Sequence, residues 1–313
     1  MAKMRCHFIL YGRARERNIG GKQQKLIEMD GIVAHNPVPA AVTSKLAAEF
    51  GELIPRRVVI SQENEVFAFE LTSEWAETAS KYIIGVAACI SGFVDYAETL
   101  FREVQLKIPS HRGNIPAYTK LKERIPLRLL EIQEARSRAA YEKWFEHHDD
   151  SYLKILENEL NKVDSNSNIP WVINLRSVIA FLVYRNVDEA IRLLRQCPRA
   201  NVDGVWHMNV AFLYAYKGDM KKSSQHYRNA IKLTIYDETI QQVEDFIVYI
   251  LTIEPDKYQL YFSLGYINWK IKGDNIMSIG DYQSFLSRVL VGEYIQEAEL
   301  SRKWINEMSS NSA

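Results

Sequence analysis

The stretch Val205–Leu233, VWHMNVAFLYAYKGDMKKSSQHYRNAIKL, predicts how most of this chain folds. Two segments flank a turn at 217–219, and in each segment apolar or small residues recur at the spacing of one helix face. These positions are Val210, Leu213, Tyr214 and Tyr216 in the first segment, and Ser223, Tyr227, Ala230, Ile231 and Leu233 in the second. Neither amphipathic helix can bury its apolar stripe alone, so the pair requires stacked neighbours. The stretch therefore predicts a mostly α-helical protein built from stacked helical pairs.

Helical periodicity recurs from residue 74 onward. Further helices are predicted at Tyr82–Ser91, from Asp95, and at Ala117–His148, Tyr152–Val163, Trp171–Tyr184, Val187–Cys197, Thr239–Thr252, Tyr258–Lys270, Asn275–Leu290 and Glu293–Met308. The small residue Gly85 would allow two helices to approach closely, and Phe101 would fill the neighbouring space. We therefore predict that residues 74–313 form one helical solenoid.

Residues 1–73 have a different pattern, with short β-rich runs broken by turn residues. Strands are predicted at Cys6–Tyr11, Leu26–Val33, Arg57–Ser61 and Val66–Leu71, and a helix at Ala40–Leu53. The last two strands are separated by QENE at 62–65, which is a hairpin signal. Residues 1–73 are thus predicted to form a small amino-terminal α/β (α+β) domain.

Composition limits the class of protein. The chain has 313 residues with 39 basic and 39 acidic side chains, which argues against a globally basic nucleic-acid binder. Its three cysteines, Cys6, Cys89 and Cys197, are sparse and odd in number, which favours a reducing compartment over a disulfide framework. The most apolar run, Tyr82–Ser91, is about half of the roughly 20 residues that span a bilayer, and the amino-terminal run is too short for a signal peptide. We expect a soluble, cytoplasmic protein that does not bind membranes.

The recurrence resembles the tetratricopeptide repeat (TPR), a helix-turn-helix unit of about 34 residues. Val210-Ala211 stand at the Leu-Gly pair of that pattern, Tyr214 at its aromatic position and Gly218-Asp219 at its turn. The matching second-helix positions are Ser223, Tyr227 and Ala230, and the Leu-Gly pair recurs as Ile84-Gly85 and Leu264-Gly265. Ala190 and Ser223 hold the same place in consecutive units, 33 residues apart. The resemblance implies a TPR-like α-solenoid with a C-terminal capping helix.

In that family the first helix of each unit lines a concave groove that binds partners. The resemblance therefore implies a partner-binding role for Met208, Phe212, Tyr216, Phe262, Tyr266, Trp269 and Lys270. Aromatic and Met side chains suit the anchoring of a peptide or helix. The alternative is that these residues pack the interior of the superhelix. Asn209 stands where some such repeats place an asparagine that holds a terminal carboxylate, but Arg176 and Ser263 stand at the matching places in other units.

A basic stretch lies near the amino terminus. From Lys3 to Lys25 the chain has seven basic residues against one acid, Glu16. It contains Gly20-Gly21-Lys22, but Glu16 and Gln23 stand where a P-loop requires glycine and Ser or Thr. A looser contact with an anion or nucleic acid is predicted for Arg13, Arg15, Arg17, Lys22 and Lys25. The alternative is a solvated, mobile loop, because charge runs usually face solvent.

No set of residues forms a convincing catalytic or metal site. The sequence His147-His148-Asp149-Asp150 holds four possible ligands, but adjacent helix positions diverge by about 100° and cannot converge on one ion. Cys6 and His7 are neighbours on a strand and point to opposite faces. His226 is spaced to face outward in its repeat. We predict no catalytic residue, metal or cofactor, and we consider an enzyme the less favoured class.

The function expected from this organisation is a non-catalytic protein–protein interaction adaptor, scaffold or regulatory subunit that binds a protein in the repeat groove. By analogy, such two-part chains occur in bacterial antiviral defence and signalling complexes. The alternative is a nucleic-acid or nucleotide-binding sensor that uses the basic stretch.

Overall fold

The computed structural model describes residues 7–19, 22–34, 37, 39–53, 57–61, 65–108, 116–198, 203–233 and 235–310. These residues are mostly helical, as the periodicity at 205–233 predicts. The chain forms two compact units, Met1–Arg136 and Ser137–Ala313.

The first unit begins with a three-stranded antiparallel sheet of order β1-β2-β3. Its strands are β1 at His7–Ile19, β2 at Lys22–Ala34 and β3 at Arg57–Ser61. The pairing sets Tyr11 opposite Asp30, and Leu26 opposite Val59. β1 and β2 are longer than the runs predicted from hydrophobicity, because backbone pairing between strands continues through charged residues that interrupt the apolar pattern.

Four helices accompany the sheet: α1 at Ala40–Leu53, α2 at Glu65–Ile90, α3 at Val94–Lys107 and α4 at Pro116–His147. The core that they share is centred on Leu53, Tyr82, Phe101 and Leu121, each with no exposed surface. Arg128 on α4 donates to Glu49 on α1 at 2.7 Å, which adds a half-buried ion pair to this apolar core.

The strand predicted at Val66–Leu71 is wrong, because this run lies inside α2. β3 therefore pairs with β2 and makes no hairpin with the run that follows it. A short apolar run fits either structure, and here it is continuous with the helix-forming residues that follow, so each added residue gains a helical hydrogen bond. The predicted boundary after residue 73 also lies inside α2, whereas the division between the compact units falls within α4. Independent folding of residues 1–73 stays a prediction.

The second unit is helical throughout its described residues. Its helices are α5 at Ser151–Leu160, α6 at Pro170–Leu182, α7 at Val187–Leu194, α8 at Gly204–Lys217, α9 at Met220–Ile231, α10 at Asp237–Ile253, α11 at Gln259–Ile267, α12 at Asn275–Leu286 and α13 at Ile295–Ser310. A π-helical turn at Asn268–Lys272 extends α11. Consecutive helices pack in pairs, α6 with α7, α8 with α9 and α11 with α12, which is compatible with a helical repeat.

The second helix of each pair begins with the same capping arrangement. Asn186, Asp219 and Asp274 each accept a hydrogen bond at 3.0 to 3.1 Å from the backbone N–H three residues later. The first helix of two pairs ends at a glycine in the left-handed region, Gly218 with φ 89° and Gly273 with φ 73°. These caps satisfy backbone groups that helix ends leave unpaired and fix where each pair turns.

Close packing of α11 against α12 requires a glycine at position 265. A Cβ atom there would lie 2.7 Å from Cε1 of Tyr282, whose side chain is fully buried and cannot move aside. Gly265→Ala should therefore destabilise the second unit by about 1–3 kcal/mol through overpacking. The measurement is thermal unfolding followed by circular dichroism.

Gly280→Ala is the matched control, because Gly280 lies in α12 and an added Cβ meets no atom within 4 Å. It should leave the midpoint unchanged or raise it, since Ala favours a helix over Gly. Equal thermal midpoints for Gly265→Ala and Gly280→Ala would contradict the packing argument.

Candidate functional site

A cavity of about 340 Å³ lies in the second unit. Helices α6, α8 and α10 provide most of its lining, with further residues from the last part of α4 and from α7. The residues on its wall are Arg138, Tyr141, Glu142, Trp171, Asn174, Leu175, Ser177, Val178, Phe181, Leu194, Val205, Asn209, Phe212, Leu213, Thr239, Gln242, Val243 and Phe246. Two of the principal helices, α6 and α8, are the first members of their pairs. The cavity is therefore formed by successive pairs and belongs to no single pair.

Three phenylalanines from different helices form one side of this cavity. The ring of Phe212 lies 5.3 Å from that of Phe181 and 5.1 Å from that of Phe246, both in edge-to-face arrangements. Phe181 and Phe212 are almost fully buried. Edge-to-face packing holds each ring in place, so this wall is rigid and apolar.

Two asparagines bring polar groups into the same cavity. Asn174 lies on α6 and Asn209 on α8. The Oδ1 atom of Asn174 is inaccessible to solvent and has no hydrogen-bond partner among the described residues. A buried acceptor without a donor costs about 1–3 kcal/mol, and such atoms are rare in proteins. Because protein atoms cover this oxygen, it would meet a ligand in the cavity only after the Asn174 amide turns, and a ligand that combines apolar surface with an N–H or O–H donor would then satisfy it.

The residues predicted from the first repeat have different environments in the structure. Phe212 lines the cavity, whereas Met208 has no exposed surface and packs in the core. Tyr216 is half-buried, and its hydroxyl donates to Glu254 at 2.5 Å. Burial and the hydrogen bond to Glu254 together raise the pKa of Tyr216 to about 12. Tyr216 is therefore fixed by contacts within the unit.

The residues predicted from the last repeat are covered by α13. The indole ring of Trp304 lies 5.7 Å from the ring of Phe262, 6.2 Å from that of Tyr266 and 5.1 Å from that of Trp269. Only Lys270 is exposed, with its Nζ 3.1 Å from the ring centre of Trp269. A helical spacing shows that these positions share a face, but it does not show which later helix packs on that face.

Sequence reasoning missed Asn174 because it placed Arg176 at the position that matches Asn209. In the structure Arg176 donates to the carbonyl oxygens of Val163 at 3.0 Å and Ser165 at 2.9 Å, just after α5 ends. The connection between α6 and α7 has four residues, but the connection between α8 and α9 has two. The first helices therefore match at a spacing of 35 residues, although the second helices match at 33.

The basic stretch lies on the sheet of the first unit. The interpretation of this stretch as a loop is wrong for 13–19 and 22–25, which belong to β1 and β2. Arg13 and Arg15 are exposed, and Arg13 forms an ion pair with Glu28 across the sheet. The side chains of Arg17, Lys22 and Lys25 and the glycines at 20 and 21 lie outside the described residues.

Residues of the candidate metal motif at 147–150 make contacts within the fold. His148 stacks on Tyr249 with ring centres 3.9 Å apart, and Asp149 accepts from the backbone of Ser151 at 2.8 Å. Within the described ranges, no group of three or more His, Cys, Asp and Glu side chains is placed to hold a metal ion. No described helix is long and apolar enough to cross a membrane. Cys6 lies outside the described residues.

His226 does not face outward as its spacing suggested. Its Nδ1 lies 3.0 Å from Nδ1 of His207, so α9 turns this residue toward α8. The ring of Tyr214 stacks on it with centres 5.6 Å apart. Burial, together with the neighbouring His207 and Arg195, lowers the pKa of His226 to about 4. When both rings are neutral, one histidine donates its Nδ1–H to this hydrogen bond and the Nδ1 atom of the other accepts it.

Comparisons of the chain with known protein families, with curated proteins and with solved structures found no match.

The histidine pair predicts how stability depends on pH. Because His226 has a pKa of about 4 in the fold against an ordinary 6.5, the unfolded chain binds more protons between these values. Stability should therefore be fully present above pH 6.5 and fall as the pH decreases toward 4. When the thermal midpoint is plotted against pH over this range, the slope should be smaller for His226→Leu than for the wild type.

His147→Leu is the control, because His147 is exposed at the end of α4. Its slope should equal that of the wild type. An unchanged slope in His226→Leu would show that the pair does not resist protonation.

Proposed function

We propose that this chain is a non-catalytic adaptor that captures a peptide segment of a partner protein in the cavity between α6, α8 and α10. The observation that carries the proposal is the unpartnered acceptor of Asn174 on the wall of a cavity that combines aromatic with polar residues. A peptide supplies both an apolar side chain and main-chain N–H donors. Residues 74–313 act as a TPR-like solenoid in this proposal, and residues 1–73 as a separate α/β module. Membership of a bacterial defence or signalling complex stays a prediction.

The size and lining of the cavity support a single anchoring side chain. A volume of about 340 Å³ is enough for one large apolar residue with part of its main chain. Such a residue would contact Phe181, Phe212 and Phe246, which supply desolvated aromatic surface. After a turn of the Asn174 amide, the main chain beside it would donate to Oδ1 of Asn174 and pair with Asn209. Arg138 and Glu142 carry opposite charges on the wall, so neither charge sign dominates the site.

The role of the cavity is tested by filling it. Peptides selected from a random library displayed on phage should share a large apolar residue, and their affinity is measured by fluorescence anisotropy. Val178→Trp places an indole in the cavity and should abolish binding. Asn174→Leu removes the acceptor and should weaken binding by about five- to tenfold.

Val183→Trp is the matched control, since Val183 directly follows α6 and is exposed outside the cavity. It should bind as the wild type does. The proposal fails if no peptides are enriched, or if the enriched peptides bind Val178→Trp and Asn174→Leu with wild-type affinity.

A second function is supported by one surface of the sheet. Tyr11 is half exposed, and on the same strand Arg13 and Arg15 are exposed at alternate positions. An aromatic ring beside arginines suits stacking on the bases of single-stranded nucleic acid. This arrangement supports the hypothesis that the basic stretch binds nucleic acid in a sensor.

The nucleic-acid hypothesis predicts a defined salt dependence. If Arg13 and Arg15 each contact a phosphate of single-stranded RNA, replacing both with Ala should reduce the slope of log K against log salt by about 1.4. Titrations of a labelled oligonucleotide at several salt concentrations measure that slope.

Arg102→Ala with Arg302→Ala changes the net charge equally and should leave the slope unchanged, because these exposed arginines lie on α3 and α13. An equal change of the slope in both double variants would show that net charge, and not contact by Arg13 and Arg15, sets the salt dependence.

A further inference from the structure

A buried polar cluster lies where α10, the π-helical turn and α12 meet. Glu244 on α10 is buried, and its carboxylate accepts from Nζ of Lys272 at 2.7 Å. Asn268 is also buried, and its Nδ2 donates to Asp281 on α12 at 2.8 Å. None of these four residues lines the cavity between α6, α8 and α10. The cluster is therefore separate from the proposed peptide site.

The charges of this cluster do not balance. Of the two carboxylates, Glu244 contacts the ammonium group of Lys272, whereas Asp281 accepts a hydrogen bond from the neutral amide of Asn268. The third acid near them, Asp274, is engaged at the start of α12, where it accepts from the backbone of Met277 at 3.0 Å. A second positive charge would relieve this excess of buried negative charge.

Asn268 provides an independent indication of a ligand. Its side chain is 4% exposed, and its Oδ1 has no hydrogen-bond partner among the described residues. The Nδ2 atom of the same amide contacts Asp281, so the free oxygen lies beside the Asp281 carboxylate. The backbone at this residue belongs to a π-helical turn, a rare conformation that is frequent at functional sites.

We propose that this cluster binds a divalent, oxygen-seeking cation through the carboxylates of Glu244 and Asp281 and the Oδ1 atom of Asn268. Carboxylate and amide oxygens are the ligands that Ca²⁺ and Mg²⁺ prefer. The ammonium group of Lys272 occupies the place of the cation at Glu244 and leaves when the ion binds. The side chain of Lys272 is 35% exposed, so it can move into solvent and open a path for the ion.

The test removes the internal competitor. Lys272→Met leaves Glu244 without its partner and should lower the melting temperature of the full chain in EDTA. Addition of Ca²⁺ or Mg²⁺ should restore the wild-type value, whereas Na⁺ at equal ionic strength should not. By calorimetry the variant should bind the ion on the order of tenfold more tightly than the wild type, because a nearby positive charge is gone.

Lys222→Met is the matched control, since Lys222 also pairs with a carboxylate at 2.7 Å, that of Asp219, but outside this cluster. Divalent ions should not raise its melting temperature. Absence of rescue in Lys272→Met, or equal rescue in Lys222→Met, would overturn the proposal and leave the Glu244–Lys272 contact as a structural ion pair.

A second measurement does not depend on the Lys272 variant. Calorimetric titration of the wild type with Ca²⁺ should give binding that Asp281→Asn abolishes, because this change removes a carboxylate ligand. Binding that Asp281→Asn leaves unchanged would place the ion elsewhere. Peptide capture by Asp281→Asn should persist, so failure of the cation site and failure of the peptide site are distinguishable.

Discussion

Helix α8 buries ten of its fourteen residues, and the rest of the second unit depends on covering it. A helix that is apolar on most of its faces is stable only when other helices surround it. Its neighbours are α7, α9, α10 and α11, which approach from several directions. The cavity lies on the side of α8 that presents Asn209 and Phe212, between α6 and α10. The proposed binding site is thus a gap in the packing of this buried helix.

Two of the buried polar atoms without a partner in this unit are amide oxygens. The Oδ1 atoms of Asn174 and Asn268 are both buried without a donor among the described residues, but their surroundings differ. The first belongs to a residue of a cavity with a phenylalanine wall, which suits a peptide, whereas the amide of the second contacts the carboxylate of Asp281, which suits a cation. The same amide group therefore points to different ligands because the neighbouring residues set the local charge and polarity.

Residues with strong aromatic character were the natural candidates for a groove, yet most of them stabilise the fold. Phe262, Tyr266 and Trp269 contact Trp304 of α13, and Tyr216 is held by Glu254. Complete burial of a large aromatic ring contributes more to the free energy of folding than partial burial does, so such rings pack between helices. The polar residues that remain inside a cavity are the better indication of a ligand.

The sequence alone determined the local structure of most of the chain: α1 and β3 end at the predicted residues, and each helical pair turns near the predicted position, at Asn186, Gly218 or Gly273. Periodicity and capping act between residues a few positions apart, so they can be read directly from the chain. Only the tertiary structure decided that residues 66–71 continue a helix, that Asn174 lies in the cavity with Asn209, and that Trp304 covers α11. These outcomes depend on which distant helix packs on a given face and on the lengths of the connections, and periodicity within one helix does not contain that information.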